Sequence, residues 1–332
     1  MTAWNFRKLT SAIALWITLW AVVAAACMLV GSTTGPLTRQ QWLYRLEMVL
    51  VPSLVGAALA AAGVTFQAVL RNPLADPYLL GASSGAALAT YIWSLLLGTV
   101  GAVAAQIGQQ AFAFAGAAAA IAIVLGLAQR RGRLDPVTLI LVGVILNAVC
   151  GSVYLLIFSL NLPWDQTQQT GGAFRMLIGG IQTNLTTTQE FAAAIAIAVA
   201  WIVLLCVAGQ LNVAMLSDAE AQSLGVRVHR LRWIAMIAAS LTTAAAVAIS
   251  GPIGFIGLIC PHAARLVTGP DPRRLLPAAT ALGASLLVVA EAMSRLFSQQ
   301  TLLGSHLPVG VLTGLLGGPF FLILLFRQKR QN

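Results

Sequence analysis

The sequence predicts an all-α, polytopic membrane protein with ten transmembrane helices and both termini in the cytoplasm. Three observations carry that prediction. Hydrophobic residues make up 59% of the chain and charged residues 8%, whereas a soluble domain carries roughly 25% charged residues. Polar surface is too scarce to cover such a chain in water, so the bilayer must be its solvent. The apolar residues fall into ten runs, and basic residues gather in alternate connections between those runs.

In order, the runs cover residues 11–31, 47–69, 79–97, 111–128, 136–158, 190–208, 232–250, 253–267, 275–297 and 307–326. Inside lipid only helices and closed barrels satisfy every backbone group. Barrel strands alternate in polarity. These runs do not, so each is read as a helix. The first follows Arg7 and Lys8 and extends from Ser11 to Val30. About 20 residues span a bilayer, while the apolar core of a signal peptide takes about 7–15. It is read as a retained helix, although Ala24-Ala25-Ala26-Cys27 resembles a lipoprotein cleavage site. The eighth run is the shortest and contains Pro261.

Orientation follows from charge. With the N-terminus inside, the inner side holds Arg7, Lys8, Arg71, Arg130, Arg131, Arg133, Arg227, Arg230, Arg232, Arg265, Arg273, Arg274, Arg327, Lys329 and Arg330, which is 15 of the 19 basic residues. Arg39, Arg45, Arg175 and Arg295 remain outside. Basic residues favour the cytoplasmic side, and an even span count returns the C-terminus to it. The net charge of +10 therefore reflects topology. No aromatic residues are interleaved with the basic ones, so a nucleic-acid platform is absent.

Small residues recur at four-residue spacing at Gly81 and Gly85, at Gly310, Gly314 and Gly318, and at Thr313 and Gly317. This spacing lets helix backbones approach closely. Cys27, Cys150, Cys206 and Cys260 all lie in apolar runs, far apart in sequence. Their spacing fits neither a disulfide framework nor a zinc site, and no metal-ligand cluster or nucleophile–base constellation appears elsewhere.

The chain lacks an energy source of its own. A P-loop ends in Gly-Lys-Ser/Thr, and the two lysines, Lys8 and Lys329, do not follow a glycine. An ion-coupled carrier places carboxylates near the bilayer midplane. The clearest intramembrane carboxylate is Glu291, and Arg295 at i+4 shares its helix face and can neutralise it. His229 lies in a basic loop, His306 at an outer helix start, and His262 beside Pro261, where it reads as a packing residue.

The longest inner connection, 209–230, contains the best-specified cytoplasmic element. Ser217 and Glu220 have capping-box spacing. Asp218 puts negative charge in the first turn, and Gly225 can supply a left-handed cap. A two-turn helix over 218–224 is predicted. So short a helix is marginal in water, so a packing partner is expected.

Three stretches then carry a resemblance. The first runs from Val55-Gly56-Ala57 through Arg71-Asn72-Pro73-Leu74-Ala75-Asp76-Pro77 to Gly81-Ala82-Ser83-Ser84-Gly85. The second ends in Ser223-Leu224-Gly225-Val226. The third is Gly251-Pro252-Ile253-Gly254-Phe255-Ile256-Gly257 through Pro261-His262, followed by Gly269-Pro270-Asp271. The closing Leu307-Pro308-Val309-Gly310 and Gly318-Pro319-Phe320-Phe321 also fit. From about residue 42 onward the chain resembles FecCD-like permeases, the membrane subunits of bacterial importers for iron–siderophore complexes, haem and vitamin B12.

The resemblance implies ten helices per subunit, a homodimer, a cytoplasmic ATP-binding cassette ATPase and a periplasmic or lipid-anchored substrate-binding protein. ATP-Mg would sit on the ATPase, with no cofactor on this chain. Ser217, Asp218, Glu220, Ala221, Gln222, Leu224, Gly225 and Val226 would couple to the ATPase. Asn147 and Gly151 of the fifth helix, with Gly310, Thr313 and Gly314 of the tenth, would line the pathway at the dimer interface. Arg45 and Arg295 would dock the binding protein.

The chain departs from the family where Arg45-Leu46-Glu47-Met48 replaces an Arg-x-Pro-Arg stretch. It departs again where His306 replaces a Glu before Leu307-Pro308. The expected location is the cytoplasmic membrane, and the expected organisation is one permease domain over 1–332. The alternative reading is an ion-coupled secondary transporter.

Overall fold

The computed structural model describes residues 6–30, 38–96, 102–130, 133–160, 179–181, 187–215, 218–300 and 307–329. Ten helices answer the ten apolar runs: α1 (Phe6–Leu29), α2 (Arg39–Val69), α3 (Ala82–Leu96), α4 (Ala102–Leu127), α5 (Pro136–Leu160), α6 (Thr187–Ala214), α8 (Val228–Ser250), α9 (Ile256–Thr268), α10 (Pro272–Gln300) and α11 (Val309–Lys329). The short α7 (Asp218–Ser223) lies between α6 and α8. A two-residue antiparallel ribbon, β1 (Gln129–Arg130) with β2 (Arg133–Leu134), closes the α4–α5 connection. A 3-10 turn (Pro77–Leu80) precedes α3.

Several helices outrun their apolar runs. α2 begins at Arg39, well ahead of residue 47, because Thr38 and Gln41 form a capping box: Thr38 N–H donates to Gln41 Oε1 at 2.9 Å, and Gln41 N–H to Thr38 Oγ1 at 3.4 Å. Its first turns expose Trp42, Leu43 and Tyr44. Likewise α6 continues to Ala214 and α8 starts at Val228, so the non-helical part of the inner connection is narrower than 209–230. In this respect a helix is not bounded by the bilayer; it continues until a cap or a turn stops it.

α2, α8 and α10 form the buried centre, and α2 packs against α10, α8, α9 and α6. α3, α4 and α5 make a second group joined through α4 to α8, while α1 covers α10 and α11 rests on α9 and α10. Glycine allows two close helix–helix approaches. A Cβ added at Gly56 would lie 2.1 Å from the carbonyl oxygen of Gly283 on α10, and one at Gly63 would lie 2.0 Å from that of Gly257 on α9. Several buried hydroxyls are satisfied locally. Thr65, Thr242 and Thr243 each donate to the carbonyl four residues back, at 2.8–3.0 Å, which removes the cost of burying them.

α9 has only 13 residues with Pro261 inside it, so it rises about 20 Å against a hydrocarbon core of about 30 Å. The missing length is supplied by non-helical chain at 251–255, where Phe255 N–H donates to Asp76 Oδ2 at 3.0 Å; just ahead of it, at the end of α8, Ser250 O accepts Gly180 N–H at 2.9 Å. Irregular backbone at membrane depth is tolerated where protein satisfies it in this way.

Candidate functional site

The short helix α7 ends as its sequence requires. Gly225 sits at φ +79°. Val226 N–H donates to Ala221 O at 3.1 Å and Gly225 N–H to Gln222 O at 2.9 Å, the two bonds of a Schellman cap. Ser223 Oγ closes on Glu220 O at 2.7 Å. Ala221 is fully buried, Val226 packs on the main core, and Glu220 and Gln222 face outward. Leu224 is 64% exposed. The helix is thus seated on the membrane helices by one face and presents an apolar side chain on another. Asp218 opens the helix; Ser217, and with it the predicted capping box, lies outside the described residues.

The pathway candidates occupy two separate helices. On α5, Asn147 is held from both sides: its Oδ1 accepts from Ser84 Oγ at 2.6 Å and its Nδ2 donates to Tyr78 O at 3.4 Å. Gly151 faces open space. On α11, Gly310 N–H donates to Gly179 O at 3.0 Å, Thr313 is buried with its hydroxyl on Gly310 O at 3.1 Å, and Gly314 faces open space.

Between α5 and α11 stand the Pro77–Leu80 turn and the 251–255 segment. A Cβ on Gly254 would lie 3.8 Å from the Tyr78 ring, and Phe255 lies so close to Gly317 that a Cβ there would be 2.1 Å from the ring. Phe255 adopts φ +69°, a conformation that non-glycine residues rarely hold without support. Asp76 supplies part of that support, since its Oδ1 accepts Tyr78 N–H at 3.1 Å while its Oδ2 accepts Phe255 N–H.

The outer arginines are turned inward. Arg45 is buried and donates to Met28 O at 3.0 Å. Arg295 Nε lies 4.0 Å from Glu291 Oε1, with both side chains buried, and among the described residues its Nη2 is enclosed without a hydrogen-bond partner. Glu291 and Arg295 line a cavity of about 180 Å³ with Tyr44, Met48 and the start of α11 at Pro308. Docking through either arginine would first require it to leave these partners.

A match to the FecCD transport family extends over residues 9–327. The chain belongs to that family.

Among FecCD relatives, the cobalamin import system permease protein BtuC of Halobacterium salinarum is 38% identical over 281 residues, covering 85% of this chain and 72% of that one. The hemin transport system permease protein HmuU of Yersinia pestis is 38% identical, covering 88% of this chain and 84% of that one. A solved metal-chelate type ABC transporter in an inward-facing conformation superposes with a TM-score of 0.81 at 25% identity, covering 96% of this chain and 99% of that one. The protein is an integral protein of the cytoplasmic membrane, and ten spanning helices are consistent with the family.

The quoted motifs of this FecCD chain meet in space in ways their positions alone do not reveal. Asp76 and Phe255 belong to different stretches, and neither carries a functional motif by itself. The available signals were an Asp immediately before Pro77, which is an N-cap pattern, and a glycine-flanked break before α9. His262, read as a packing residue, stacks edge-on against Phe320 with ring centroids 5.8 Å apart.

Proposed function

We propose that this FecCD chain is the permease subunit of an ATP-driven importer whose cargo is a metal chelate: a ferric siderophore first, with haem and cobalamin as the close competitors. The observation that carries the reading is the helix α7, capped by Gly225 and presenting exposed Leu224 on the basic side of the membrane. A helix of six residues is marginal by itself, and one that is capped at a fixed position outside the lipid-facing helices supports a seat for another protein. A cassette ATPase gripping it would bind ATP-Mg itself, and this chain would carry no cofactor and catalyse no hydrolysis.

The remaining roles are assigned on the same basis. α5 exposes most of its surface in the single chain, which supports a second copy packed there and a pathway between copies, near Asn147, Gly151, Gly310, Thr313 and Gly314. A periplasmic or lipid-anchored binding protein would deliver cargo to the opposite side. The ion-coupled alternative gains no support, since its clearest intramembrane carboxylate, Glu291, already faces Arg295.

Reconstitution tests the reading. Liposomes containing this chain, its ATPase and its binding protein should accumulate a labelled ferric siderophore, haem or cobalamin only when ATP is supplied on the ATPase side. Uptake by the chain alone under an ion gradient would overturn it.

A further inference from the structure

α4 and α6 both lie against α8, and near their outer ends they leave a groove of about 480 Å³ between them. Ala245, Ala248 and Ile249 of α8 form its buried floor, while Ala111, Thr188 and Ala192 stand at its exposed mouth. Alanines wall most of it, with Phe114 as its one aromatic lining residue. Its outer end alone is polar, where Gln189 Nε2 donates to Gln110 Oε1 at 2.8 Å beside Thr188.

We propose that this groove binds one acyl chain of an outer-leaflet phospholipid, with the ester region of the lipid at the Gln110–Gln189 pair. Three features choose this occupant. The groove opens on the bilayer-facing side of α4 and α6, both of which expose most of their length, so it is continuous with the surface that lipid already covers. From Thr188 to Ala196 the groove wall rises about 12 Å at 1.5 Å per residue, less than half of a hydrocarbon core of about 30 Å, which is the depth of one leaflet. Its polarity also matches, with amide groups where the ester and glycerol lie and apolar carbon where the chain lies. A volume of this size falls within the range of specific small-molecule sites, about 300–1,000 Å³.

The full chain can be reconstituted in phosphatidylethanolamine vesicles, re-extracted in maltoside detergent and washed, and retained phospholipid counted by mass spectrometry. The chain should keep one more phospholipid than the variant carrying Ala192→Leu with Ala245→Leu, whose added carbons fill the groove. Lysophosphatidylethanolamine, which has a single chain, should be retained as well as the two-chain lipid. The delipidated protein should melt several degrees lower and recover when lysolipid is added, while the filled variant should be indifferent. Equal retention by the two proteins would overturn the proposal. So would occupancy by detergent without phospholipid, or disulfide capture of a second copy through Ala111→Cys.

Discussion

Asp76 accepts the backbone N–H of Phe255 at 3.0 Å across 179 residues of sequence, and so ties the α2–α3 connection to the break before α9. Asp76→Ala leaves two amides without their acceptor. An unsatisfied buried donor costs about 1–3 kcal/mol, so the variant should melt earlier in detergent while still inserting. Fluorescence-detected melting of the purified chain checks this.

Gly63 and Gly314 should respond oppositely to alanine. At Gly63 the new carbon meets the Gly257 carbonyl, and overpacking costs about 1–3 kcal/mol or more; the yield of folded protein should drop. Gly314 faces open space, so Gly314→Ala should fold normally. If α11 lines the pathway, the bulkier Gly314→Leu should fold equally well and block uptake. Size-exclusion profiles and transport assays separate the outcomes.

Leu224→Asp should leave the isolated chain unharmed, because a substitution at an exposed site stays within about 0.5 kcal/mol. Its effect should appear only as lost association with the ATPase and lost transport. Gly225→Val puts a β-branched residue at φ +79°, a left-handed conformation that costs about 1–2 kcal/mol, and should misplace α7 with the same result. Co-purification with the ATPase is the readout. If both variants kept the ATPase and transported normally, α7 would be only a connector.

Glu291 and Arg295 form a buried pair. Removing one partner of such a pair costs about 3–5 kcal/mol, whereas replacing both with apolar residues of similar volume is close to neutral. Glu291→Leu and Arg295→Met should each melt well below the double variant.

Much of the helix count was legible because a lipid-spanning helix announces itself in one local run, and Gly225 was legible because a left-handed cap is a local demand. What escaped was set by distance or by water. Helix ends beyond the bilayer escaped because apolar runs stop at the first polar residue, while the backbone of α2 continues out to the Thr38 cap. Arg45 read as an outward charge because outer segments border water, and its burial depends on the Met28 carbonyl as α1 places it. The Glu291–Arg295 pair, by contrast, was legible at its i+4 spacing. The Asp76–Phe255 bond joins two motifs that were visible separately, and only the folded chain puts one against the other.

The glycine contacts of α2 have a mechanical meaning. Gly56 and Gly63 stand seven residues apart on one helix, about 10 Å along its axis; one is locked to α10 and the other to α9. Backbone pressed on backbone has no side-chain slack through which to slide. Two such pins make α2, α9 and α10 a stator. A transport cycle would have to move the parts without pins, the loosely packed α5 and α11, against that fixed frame.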